Sequence, residues 1–105
     1  MNKEEIFGDY IRKAREAKEL PLRKVAAHLD IDTSTLSKVE RGERPVSPDY
    51  LKPLSEILKL DLKEVQSKFI TDKINKELGG LEHLSHGLKA AEKNIKGKRI
   101  WNLEN

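Results

Sequence analysis

The sequence predicts an all-α fold, five short helices followed by an amphipathic helical extension. Three observations lead there. Apolar residues recur three and four apart in one segment after another, and no segment sustains the alternation of a half-buried strand. Helix start and stop residues punctuate those segments at short intervals: Pro21, Asp32, Gly42, Ser47-Pro48, Asp61 and Gly79-Gly80. Hydrophobic residues make up 36% of the chain and charged residues 37%, a lean ratio that suits a bundle burying one stripe per helix.

Ile6, Phe7, Tyr10, Ile11 and Ala14 fall at helical spacing and give a first helix from about Glu4 to Lys18. A second follows Pro21, which suits a first turn, and turns Val25, Ala26 and Leu29 inward. Asp30-Ile31-Asp32 is a tight connector, and Asp32 is a good N-cap for the third helix. That helix runs from Thr33 to about Arg41 and stops at Gly42, the expected left-handed terminator. Ser47-Pro48 opens a fourth helix through Leu51, Leu54 and Leu58. Asp61 and Glu64 form a capping-box-like pair that opens a fifth through Val65, Phe69 and Ile70. The expected division is a domain over residues 1–78 and an extension over residues 79–105, separated by the glycine pair. In the extension Leu81, Leu84, Leu88, Ala91 and Ile95 make an apolar stripe, and Ile74, Leu81, Leu88 and Ile95 lie seven apart. That series is shorter than the heptad run of a coiled coil, and Gly87 weakens it. The tail is basic and carries Trp101, expected to pack against a second subunit or its own domain.

Composition narrows the function. With no cysteine, a disulfide scaffold and a thiolate zinc site are excluded. The N-terminal stretch lacks an apolar signal core and no run reaches the ~20 apolar residues of a membrane span, so a cytoplasmic protein is expected. The net charge of +3 permits nucleic-acid binding without demonstrating it. Residues 1–60 hold 12 Lys and Arg against 11 Asp and Glu, so bulk charge decides nothing and placement on a face must.

The stretch DTSTLSKVERGERP, residues 32–45, supplies such a face. At about 100° per residue, Thr33, Ser34, Ser37, Lys38 and Arg41 share one arc, while Leu36 and Val39 lie opposite. Short hydroxyl side chains let a helix sit deep in a DNA major groove and pair with donor or acceptor base edges. Lys38 can donate to guanine, and Arg41 and Arg44 can reach flanking phosphates. An ordinary solvated face has the same wheel, so the arc alone leaves both readings open.

The surrounding spacing bears on that choice. The text IRKAREAKELPLRKVAAHLDIDTSTLSKVERGERPVSPDYLKPLSEILKLDLKEV resembles the Cro and phage-repressor type of helix-turn-helix domain, the xenobiotic-response-element family. Ala26 stands where that family keeps a small residue between its two helices, and Val25, Leu29, Ile31, Leu36 and Val39 fill its packing positions. Val39-Glu40-Arg41-Gly42 looks like its usual ending of the recognition helix. The resemblance implies a lambda-repressor-like domain bound to double-stranded DNA, with Arg15 and Glu40 as a structural ion pair tying the first helix to the third. It implies base contacts from Thr33, Ser34, Ser37 and Lys38, and phosphate contacts from Thr35, Arg41, Arg44 and Arg23. The sequence departs from the family at Asp30, in place of the usual turn glycine, and at Leu22, where many relatives carry a phosphate-clamping glutamine.

One recognition helix reads only a few base pairs, so a homodimer on an inverted repeat is expected, with heads about one DNA turn apart. Phe69, Ile74, Leu81, Leu84, Leu88 and Ile95 are the candidate dimer or partner contacts. The resemblance suits a repressor of its own promoter of the restriction–modification controller kind. It also suits an antitoxin whose extension covers a toxin, or a phage-type repressor associated with the nucleoid of a bacterium. A protein-interaction adaptor that keeps the fold as scaffold is the reading from another class. Other constellations are poorer. His83 and His86 flank a turn beside Glu82 without a convincing third ligand, so no metal is expected. Neither an activated nucleophile nor a phosphate-cradling glycine loop is present, so neither a cofactor nor an enzyme is expected.

Overall fold

A computed structural model describes the backbone of residues 5–104 and the side chains of residues 5–97. Its elements are α1 (Phe7–Ala17), α2 (Leu22–Leu29), α3 (Thr33–Glu40), a 3-10 turn over Pro48–Tyr50 leading into α4 (Leu51–Leu58), α5 (Leu62–Leu78) and α6 (Leu84–Glu104). Among the described residues there is no strand, and no helix is long and apolar enough to cross a membrane. The fold is therefore all-α as expected, with the extension counted as a sixth helix. The chain divides into two compact units, Met1–Lys73 and Ile74–Asn105, with the boundary falling inside α5.

In the first unit every helix contributes to one core. Phe7 and Ile11 from α1, Val25, Ala26 and Leu29 from α2, and Leu36 and Val39 from α3 are buried with Leu51, Leu54 and Leu58 from α4 and Val65 from α5. Each large aliphatic so covered stabilises the fold by about 1.5–3 kcal/mol relative to exposure. One expected boundary shifts here, and one apolar residue of α5 lies outside the core. The first helix begins at Phe7, not Glu4, after Ile6 in extended conformation. Ile70 points outward and is 53% exposed, because Val65 and Phe69 already occupy the inward arc of α5.

The ends of α1 to α4 follow one scheme. After α3, the Glu43 N–H donates to the Lys38 carbonyl at 2.9 Å and the Gly42 N–H to that of Val39 at 3.0 Å, with Gly42 at φ 77°. This double closure satisfies carbonyls that the helix itself cannot. The same pair of bonds closes α1 at Glu19 (φ 53°), α2 at Asp30 (φ 58°) and α4 at Lys59 (φ 55°). Left-handed backbone costs a side-chain-bearing residue roughly 1 kcal/mol, least for Asp or Asn. The turn thus survives without its glycine at Asp30, as expected, and Glu19 and Lys59 accept the same conformation.

The starts of α3, the 3-10 turn and α5 are capped by side chains. The Asp32 carboxylate accepts the Thr35 N–H at 2.7 Å, and Ser47 Oγ accepts the Asp49 N–H at 3.3 Å. Asp61 accepts from the Lys63 N–H at 3.1 Å, whereas Glu64 accepts the Tyr10 hydroxyl at 3.1 Å and so links α5 to α1. Gly8 has a packing role. A methyl there would lie 2.5 Å from the Glu40 carbonyl oxygen, so the backbone of α1 rests directly against the end of α3.

In the second unit, the Leu81 N–H donates to the Leu78 carbonyl and the Leu84 N–H to that of Leu81 as the chain turns into α6. Leu78, Leu81, Leu84, Leu88 and Ala91 line a shallow apolar hollow. The side chain of Trp101 lies outside the described residues.

Candidate nucleic-acid interface

The arc of α3 is set by what holds the helix from behind. Leu36 is 1% and Val39 5% exposed, and both belong to the core. Opposite them, Thr33, Ser34 and Lys38 are exposed and Ser37 is half-buried. Apart from Lys38, the side chains on this side are short hydroxyls.

Two of the polar residues are already engaged. Thr35 is half-buried, and its backbone N–H donates to the Asp32 carboxylate. Hydrogen bonding from Thr35, with lesser help from the charges of Lys38 and Arg44, holds the Asp32 carboxyl below its usual range. Thr35 therefore acts first as a partner of the cap. Arg41 is gripped from two sides. Its Nε and Nη2 donate to Glu43 at 3.0 and 3.2 Å, and its Nη1 donates to Ser37 Oγ. Hydrogen bonding to Arg41 keeps the Glu43 carboxyl below its ordinary value. Arg44 and Arg23 are exposed, Arg23 in the first turn of α2, which carries no side-chain cap.

Arg15 and Glu40 meet in a two-point ion pair, Nε to Oε2 at 2.7 Å and Nη2 to Oε1 at 3.0 Å. A third donor, Nη1, reaches the Leu20 carbonyl at 2.9 Å. The side chains are 13% and 5% exposed, and the bond to Glu40 raises the Arg15 pKa further. One guanidinium thus ties α1 both to the end of α3 and to the turn entering α2.

Glu43 is the residue that sequence reading passed over. It stands two positions from Arg41, a spacing that brings nothing together within a helix. The left-handed turn at Gly42 folds the chain back and closes the pair. Leu22 and Ile31 pack on the core from either end of α2. Of the candidate partner contacts, Phe69 lies on its own core, edge-on to Phe7 with ring centres 5.6 Å apart. Ile74 and Leu84 are half-buried, while Leu81 (60%), Leu88 (39%) and Ile95 (56%) stand exposed. His28 approaches Glu56 at 3.8 Å and His83 approaches Glu82 at 3.8 Å, all four side chains exposed. No cluster of three or more His, Cys, Asp or Glu able to hold a metal occurs among the described residues.

Two short helices joined through Asp30, the second anchored by Leu36 and Val39 and offering small polar groups outward, form a helix-turn-helix unit. Residues 11–65 match the Helix-turn-helix family model, and the chain belongs to that family. It is 34% identical over 55 residues to the HTH-type transcriptional regulator RghRB of Bacillus subtilis, covering 51% of this chain and 40% of that protein. It is 33% identical over 57 residues to the HTH-type transcriptional repressor RghR of the same organism, covering 53% and 42%. The chain thus spans about two fifths of the length of these curated relatives. Among solved structures it resembles the restriction-modification controller protein C.AhdI from Aeromonas hydrophila, with TM-score 0.52 and 34% identity over 56% of this chain and 86% of that one. The clp gene regulator ClgR from Corynebacterium glutamicum shares the fold, with TM-score 0.56 and 22% identity over 95% of this chain and 97% of that one.

Proposed function

We propose that this chain is a sequence-specific DNA-binding transcription regulator, a homodimeric repressor acting on an inverted-repeat operator within its own promoter. The observation that carries the reading is the anchored α3, whose slim flank of Thr33, Ser34, Ser37 and Lys38 faces outward while Leu36 and Val39 are buried behind it. In this reading those four residues choose the sequence, and Arg23, Arg41 and Arg44 hold phosphates, with Thr35 contributing through the capped first turn. Likeness to a restriction–modification controller supports the self-regulating setting. The exposed apolar residues Leu81, Leu88 and Ile95 support pairing through the extension, which sets two heads ~34 Å apart on one DNA face.

The test is selection from random duplexes at low salt. An enriched palindrome is expected, and recovery of no common sequence overturns the reading. On the selected duplex, Lys38→Ala should weaken binding by ~1–3 kcal/mol and relax one base position. Equal weakening on every sequence would instead assign Lys38 to a phosphate.

A further inference from the structure

Most of the reading face is neutral or cationic, yet one carboxylate stands beside it. Glu43 takes Arg41 at two points, 3.0 and 3.2 Å, and Arg41 in turn reaches back to Ser37 Oγ. Both members of the ion pair are more than half exposed, so neither is there to fill the core. An exposed pair of this kind adds little to fold stability. Its effect must be sought in what Arg41 and Ser37 can do for a ligand. Lys38 also lies within electrostatic reach of Glu43.

We propose that Glu43 is a specificity-determining positioning residue, which holds Arg41 on Ser37 and withholds it from indiscriminate phosphate contact. The inference rests on the DNA-binding reading above. Without a matching site, the Arg41 charge stays neutralised by Glu43, so its non-specific attraction to the DNA backbone is weakened. On a matching site the same guanidinium, already aligned over Ser37, needs little further ordering to take part. Discrimination then gains because the wrong complex is made poorer, one of the two routes by which specificity arises.

The deciding measurement is the salt dependence of full-length protein binding to a mixed-sequence duplex, for wild type, Glu43→Gln, Arg41→Ala and the double variant. Each additional phosphate engaged steepens the slope of log affinity against log salt by about 0.9. Glu43→Gln should bind this duplex several-fold more tightly at low salt, with a slope steeper by about one contact. It should also lose preference for the selected site over mixed sequence. In the Arg41→Ala background the Gln substitution should have a much smaller effect, because the released guanidinium is absent. Unchanged melting of Glu43→Gln is the control for fold. A slope that Glu43→Gln leaves unaltered or makes shallower overturns the inference while the regulator reading stands. Wild type that binds no duplex at all overturns that reading and this one together.

Discussion

A carboxylate with 5% of its side chain reachable by water has no cheap way to lose its partner, and Glu40 is such a group. Replacing it leaves the Arg15 guanidinium half-enclosed with only the Leu20 carbonyl to serve it. Glu40→Ala should therefore destabilise the domain by about 3 kcal/mol, read as a lowered melting temperature, before any change in sequence preference. Unchanged melting alongside altered preference would instead make Glu40 a reading residue. Tyr10 offers a second residue-level test. Burial first, and then its hydrogen bond to Glu64, raise the phenol from 10.0 to about 12. The folded state holds this proton more tightly than the unfolded chain, so the stability it confers is complete below pH 10 and lost as pH rises toward 12. Tyr10→Phe should flatten the loss of stability over that interval, measured by denaturant titration at successive pH values.

At the scale of elements, α3 is positioned by backbone as much as by side chains. Gly8 brings α1 against the Glu40 carbonyl, and Gly8→Ala must push the two helices apart or distort one of them. The expected cost is ~1–3 kcal/mol, the usual range for overpacking a close contact, with the helical circular dichroism retained. A Gly8→Ala protein that melts like wild type would mean that α1 does not bear on α3. The elements themselves were legible. Periodicity located every core residue of α2, α3 and α4, because short amphipathic helices expose their stripe in sequence. Helix ends were legible where glycine or the Asp30 connector marks them. Glu19 and Lys59 carry no local sign that their backbones turn left-handed, since that conformation is imposed by the next helix packing back on the core. The same limit hid Glu43, whose partnership with Arg41 depends on the turn between them. The candidate reading face was legible because it is local to one helix, whereas commitments such as Thr35 to Asp32 needed atomic positions.

At the scale of the molecule, the homodimer proposed above makes the extension answerable to a simple measurement. Leu88→Asp combined with Ile95→Asp puts charge on two exposed apolar positions of α6. Sedimentation should then report a monomer, with the cooperative melting of the first unit intact and palindrome binding weakened far more than half-site binding. A dimer that persists moves the pairing surface away from α6. Away from α3, the left-handed ends at Glu19 and Lys59 have a consequence of a different kind. Both turns are closed by residues for which glycine is an easier occupant, so the protein stands below the stability its own topology allows. That slack is separate from α3. On the DNA-binding reading proposed above, a modest loss of stability from a new side chain on α3 is one that a single glycine at either turn offsets.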